Sequence, residues 1–174
     1  MGIVKGLKGI NQYNEAQEAK RKERERPKTV FFKLTDEIPK AQIAFLQELD
    51  EDSPNFSAKN DLGFLAVEHQ AGENYRRKAV CTMDDEGRCY GCERHKEDYT
   101  AGWKGKTRLY INVLVNDGKN DPYVAVLSQS TSGQSITPTL IEEAGDEETI
   151  TTKWFSISKS GSGTDTNYTL LPKK

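Results

Sequence analysis

The spacing of apolar positions changes character near residue 29. Before it, residues 14–25 favour helix. Asn14 can cap, Gln17 stands in capping-box position, and Glu18 and Lys22 form a supporting i,i+4 pair. Ala16 and Ala19 are the only apolar residues of that stretch. Such a helix has little to bury, and Pro27 closes it. Residues 1–10, rich in Gly and Lys, read as a mobile arm.

Beyond residue 29 the period shortens to two. Residues 29–34 and 41–49 read as strands around the turn Asp36-Glu37-Ile38-Pro39, although Ile43, Leu46 and Leu49 also fit a helical spacing. An acidic loop (50–60) leads to a strand over 63–69 that delivers His69 at its end. Over 106–115 the alternation puts Leu109, Ile111, Val113 and Val115 on one face, and Lys106, Arg108, Tyr110 and Asn112 on the other. Further strands are expected over 123–127, 154–158 and 167–171. A short helix should start at Thr137, with Pro138 in its first position, and stop near Gly145. Phe31, Phe32, Phe45, Phe64, Phe155 and Ile157 are assigned to the core. Five to seven short strands with one or two small helices predict a mainly β fold, most simply a small barrel.

Length and composition narrow this further. A chain of 174 residues makes one ordinary domain, and 34% hydrophobic residues with a mean hydropathy of −0.78 imply a modest core. No apolar run approaches the ~20 residues that span a bilayer, and no signal-peptide core is visible. A soluble, cytoplasmic protein without a membrane partner is expected. Three cysteines are an odd number, which argues against a disulfide framework. The net charge of −2 speaks against a simple basic nucleic-acid binder, but the charge is patchy. Residues 1–30 carry eight basic and four acidic side chains, 31–74 three and nine, and 75–108 nine and six. Local basic patches can direct nucleic-acid binding in a neutral chain.

All three cysteines fall in one segment with the spacing His69-x11-Cys81-x7-Cys89-x2-Cys92. A C-x2-C turn presents two thiolates to one tetrahedral ion, Cys81 adds a third, and either His69 or His95 can supply the fourth ligand. Three thiolates and an imidazole leave no open position, so the expectation is a structural Zn2+ site holding a segment too polar to fold alone. Basic and aromatic residues interleave around it: Tyr75, Arg76, Arg77, Lys78, then Tyr99, Trp103, Lys104, Lys106, Arg108, Tyr110 and Asn112, with Trp154 in a later strand. Single strands bind such surfaces by stacking bases on aromatic faces while Lys and Arg follow the phosphates. There is no Ser/His/Asp arrangement, phosphate-binding glycine loop or second metal cluster in the sequence, so no enzyme is expected. The competing class is a zinc-stabilised adaptor of a replication or transcription complex, docking through its charge blocks.

A Lys-bearing N-terminal arm, a β core, the His-x11-Cys-x7-Cys-x2-Cys insertion and the basic-aromatic strand together resemble the single-stranded DNA-binding proteins of T-even-type tailed phages. The stretch 152–172 is similar to their closing strands. The resemblance implies an OB-fold-like barrel (29–172) carrying a zinc-binding insertion (69–105), behind a basic N-terminal helical arm (1–28). It implies the ligand set His69, Cys81, Cys89 and Cys92. It also implies a protein that coats single-stranded DNA in phage replication, recombination and repair, in the host cytoplasm. Its partners would be further copies of itself along the strand and phage replication and recombination proteins. The basic residues available for such cooperativity are Lys5, Lys8, Lys20, Arg21, Lys22 and Arg24. An acidic tail of the kind that family often carries is not part of the sequence through Lys174.

Overall fold

The computed structural model describes residues 6–25, 29–71 and 77–173. Lys5, Tyr75 and Arg76 lie outside the described residues, and Lys22, Arg24 and Arg77 are described as backbone alone.

Helix α1 runs Gly6–Glu25, so the expected helix starts eight residues early and residues 6–10 are helical rather than a loose arm. No proline interrupts residues 6–13, and once a helix is nucleated each further residue adds a hydrogen bond at little cost. Asn14 and Gln17 therefore sit inside it instead of capping it. Leu7, Ile10 and Tyr13 stay exposed, as expected of a helix with no apolar face to dock.

The body is mainly β. In chain order come β1 (Phe31–Phe32), β2 (Lys40–Phe45), β3 (Phe64–Ala71), β4 (Arg77–Val80), α2 (Met83–Glu86), α3 (Tyr90–Glu97) and β5 (Gly102–Asn116). Then follow β6 (Tyr123–Ser130), α4 (Thr137–Glu147), β7 (Trp154–Ser160), a 3-10 turn (Gly163–Asp165) and β8 (Asn167–Pro172). β5, 15 residues long, organises one mixed eight-stranded sheet. One edge of β5 pairs with β3 (Phe64 opposite Tyr110) and, further along, with β2 (Ile43 opposite Val115). Its other edge carries β6, and β2 passes the sheet on to β7 and β8. The β1–β6 ladder is parallel and the others are antiparallel.

The sheet is not closed: its path ends at β1 on one side and β8 on the other. An OB-like barrel is thus not confirmed. With two residues, β1 is too short to form a second ladder, and the Tyr168 N–H of β8 donates instead to Gln134 O at 2.8 Å.

The alternation expected of the long strand holds. Leu109, Ile111, Val113 and Val115 are buried with Ile43, Phe45, Phe155 and Ile157, and α4 closes the core with Ile136 and Leu140 at its start. The rings of Phe45 and Phe155 meet edge-on, 5.1 Å apart. Residues 40–45 settle as strand, since Ala41, Ile43 and Phe45 are buried in alternation. Two core assignments are corrected: Phe31 and Phe64 are 59% and 57% exposed. Adjacent residues of a strand point to opposite faces. Phe32, opposite buried Leu127, therefore sends Phe31 outward, and Phe64 shares the outer face of Tyr110, its ring stacked at 5.5 Å.

One buried carboxylate ties the loops together. Glu48, 3% exposed, accepts from Ile150 N (3.0 Å), Thr151 N (3.3 Å) and the hydroxyls of Thr149 and Thr151. Burial pushes its pKa up, but those four donors outweigh burial and hold it below the ordinary 4.5.

Candidate metal centre and basic face

β3 carries adjacent functional residues on opposite faces of the sheet: Glu68 on the outer face and His69 on the other. β4 returns alongside, and Cys81 follows it directly, its N–H held by Val67 O at 2.8 Å. The single turn α2 is closed by Gly87 in the left-handed conformation, φ 68°. This turns the chain so that Cys89 caps α3 and Cys92 lies in its first turn.

The donor atoms of His69, Cys81, Cys89 and Cys92 all fall within 4.8 Å of one another. Cys81 Sγ and Cys92 Sγ are 3.7 Å apart, and Cys92 Sγ is 3.5 Å from His69 Nε2. A tetrahedron with bonds of about 2.3 Å to sulfur and about 2.0 Å to nitrogen has edges of roughly 3.8 Å between sulfurs and 3.5 Å between sulfur and nitrogen. Those two separations match the edges of a zinc coordination sphere, and the four donors together span at most 4.8 Å. His69 Nδ1 lies 2.7 Å from Trp103 O. Donation of its N–H to that carbonyl leaves Nε2 with a free lone pair toward the thiols, the arrangement that orients histidine ligands. His95 is not in the group; its Nδ1 sits 3.2 Å from Gly102 O.

Two glycines make room for this packing. A Cβ on Gly91 would stand 2.3 Å from His69 Cγ, and one on Gly105 2.8 Å from Val67 Cγ1 and 3.3 Å from His69 Cε1. Gly91 matters because the first turn of α3 lies flat against the imidazole, not because the C-x2-C turn needs unusual backbone angles.

The thiols titrate unevenly. Burial raises Cys89, but the backbone N–H groups of Cys92 and Thr82, the Cys81 thiol and the Gly91 N–H outweigh it and bring the pKa to about 6. Burial and the neighbouring Cys81 and Cys89 push Cys92 up to about 11. One thiolate is easy to form and the next is opposed by its charge, a conflict that a bound cation resolves. A metal ion fits this cluster.

No family model, curated protein or solved structure matches the chain. What the molecule does must be read from its own surfaces.

On the opposite face, the outer side chains of β3, β4, β5 and β6 form a basic-aromatic field. Lys78, Arg108 and Tyr110 converge on Glu68. Tyr110 donates its hydroxyl to Glu68 Oε2 at 2.7 Å, and Lys78 Nζ and Arg108 Nε lie 3.5 and 3.8 Å from Oε1. Gln70 donates its side-chain N–H to the same oxygen. Burial opposes the charge of Glu68, but these partners prevail and keep its pKa below the usual carboxylate value. Beside them opens a groove of about 480 Å³ lined by Lys33, Lys78, Arg108, Phe31, Tyr168 and the amides Gln70 and Gln129.

The other expected ligand-binding residues are spread more widely. Lys104 and Lys106 are exposed along β5, Lys106 opposite Glu68. The Asn112 N–H is taken by Gln47 Oε1 at 2.7 Å, and Tyr99 is 79% exposed beyond α3. Trp103, at φ 57°, belongs to the cysteine subdomain, its ring edge-on to Tyr90 at 5.4 Å. Trp154 lines a separate groove with Gln42, Asn116, Lys153 and Lys173. Lys8, Lys20 and Arg21 lie on exposed α1.

Phe31, Lys33, Phe64, Glu68 and Tyr168 were missed by reading the sequence. Strand parity held a signal for two of them: Phe64 is in phase with Glu68 and Gln70, and Phe31 is out of phase with its apolar neighbour.

Proposed function

We propose that the chain is a non-catalytic, sequence-tolerant single-stranded DNA-binding protein with a structural zinc site, of the T-even phage type and with a modified OB-like core. The observation that supports this best is the groove in which Lys33, Lys78 and Arg108 stand beside exposed Phe31 and half-buried Tyr168. Cations at the wall meet phosphates, and flat aromatic rings accept bases of any identity. Zinc, held by His69, Cys81, Cys89 and Cys92, would supply the folding energy of the segment between β4 and β5 and no catalysis, since all four positions are protein side chains.

The test is fluorescence anisotropy of labelled oligo-dT titrated with zinc-loaded protein at about 50 and 300 mM salt, with duplex DNA alongside. Neutralising the phosphates opposite Lys33, Lys78 and Arg108 predicts a slope of log K against log salt no steeper than about −2, at roughly 0.7 per contact on single strands. Flat titrations at low salt with folded protein would remove this reading. A zinc-stabilised protein adaptor is then the reading to pursue. It is favoured by a groove of about 380 Å³ where Phe64, Leu65 and Ile141 are each more than half exposed.

A further inference from the structure

A carboxylate stands at the centre of the basic face, where a binder of polyanions would be expected to have none. Glu68 is 6% exposed, and burying a charge is costly unless it is well paired. Its pairing is uneven. The Tyr110 hydroxyl is close, at 2.7 Å, but Lys78 and Arg108 sit at 3.5 and 3.8 Å, beyond the 2.7–2.9 Å of a tight charge-assisted hydrogen bond. Both cations also reach the groove: the Lys78 side chain is 54% exposed and that of Arg108 23%. Arg108 does not depend on Glu68 for its place, because it donates to Ser128 Oγ at 2.8 Å and Ser128 O at 3.1 Å.

We infer that Glu68 is an internal competitor of the phosphate backbone: it occupies Lys78 and Arg108 in the free protein and yields them, in part, to a phosphate of the bound strand. The inference rests on the single-stranded DNA reading and names a residue that sets the affinity and salt response of that site. A carboxylate and a phosphate offer the same donors an anionic oxygen pair, and two cations loosely held by one carboxylate carry a net charge of one instead of two. Binding is thereby weakened but made easier to reverse, and the cations stay oriented toward the groove while it is empty.

The experiment compares wild type with Glu68→Gln, both zinc-loaded, in salt-dependent titrations of oligo-dT. Gln keeps the shape and an oxygen for Tyr110 while removing the charge. Glu68→Gln should bind about fivefold tighter at low salt, the worth of one partly exposed ion pair, with a slope steeper by about 0.7. Binding that is unchanged or weaker in folded Glu68→Gln, with an unchanged slope, overturns the inference and leaves Glu68 as scaffolding. Failure of both proteins to bind overturns the function itself along with it.

Exposed Lys78 gives a second reading, whose wild-type arm does not depend on the buried variant folding. Lys78→Met should weaken wild-type binding less than twofold, because that charge is already offset, and should cost about fivefold in the Glu68→Gln background. A full fivefold loss from Lys78→Met in wild type contradicts the competition.

Discussion

Replacing Gly91 by Ala adds one methyl group and isolates the packing of α3 against His69. The new Cβ would lie 2.3 Å from His69 Cγ, 2.5 Å from Cδ2 and 2.7 Å from Cβ, whereas ordinary contacts begin at 3.4 Å. The imidazole and the helix must therefore separate by about 1.1 Å. The ring has little freedom to retreat: it is 3% exposed, held by Trp103 O at 2.7 Å and backed by Gly105. Metal–ligand distances tolerate about 0.2 Å, so Gly91→Ala removes either the imidazole or the α3 thiolates from the coordination sphere. Even partners behind the ligands are worth about 10–100-fold in metal affinity, so the expected loss is about 100-fold or more, roughly 2.7 kcal/mol. Competition with a chromophoric chelator measures it, and Co2+ substitution reports whether the tetrahedral spectrum of three sulfurs and one nitrogen survives. Gly87→Ala is the control, since a Cβ there meets nothing within 4 Å and strains only the φ of 68°. Unchanged zinc affinity and an unchanged Co2+ spectrum in Gly91→Ala would refute the reasoning that His69 completes the site.

Three further outcomes are expected. His69→Ala should abolish tetrahedral metal binding while His95→Ala leaves it intact, as read by the same Co2+ spectrum; the reverse result would assign the fourth ligand to His95. Phe31→Ala should weaken oligo-dT binding by about 1–3 kcal/mol, the worth of one stacked base, with stability changed by less than about 0.5 kcal/mol in urea titrations. Glu48→Gln should destabilise the fold by about 2 kcal/mol near pH 7. Because the folded pKa of Glu48 lies below its unfolded 4.5, its contribution is complete above that value and is lost as pH falls through the folded one. Denaturation curves of wild type and Glu48→Gln should therefore converge on acidification. A gap that stays constant from about pH 7 down to pH 3 would show that the carboxylate charge is not the stabilising feature.

The sequence alone determined what depends on near neighbours. Period-two alternation set the buried face of β5, Pro138 located the start of α4, and the C-x2-C spacing marked two candidate metal ligands. These signals are local because backbone geometry alone decides which of two adjacent residues faces the core. The fourth ligand was not legible in spacing, since His69 and His95 are both near enough along the chain. The resemblance to phage proteins pointed to His69; the structure distinguishes the two because β3 pairs with β5 and lays His69 under Gly91 and Trp103 O, while His95 faces Gly102 O.

The makeup of the basic face was likewise out of reach. Phe31, Lys33, Lys78, Arg108 and Tyr168 come from β4, β5, β8 and the β1 region, and only the sheet order brings them to one groove. Whether the sheet closes was also undecided by strand count, because closure depends on the reach of the end strands, and β1 is two residues long. The least visible feature was Glu68. In sequence it is one more acidic residue beside a histidine. In the fold, a half-turn between successive strand residues sends His69 to the candidate metal centre and Glu68 among the cations that the opposite face gathers.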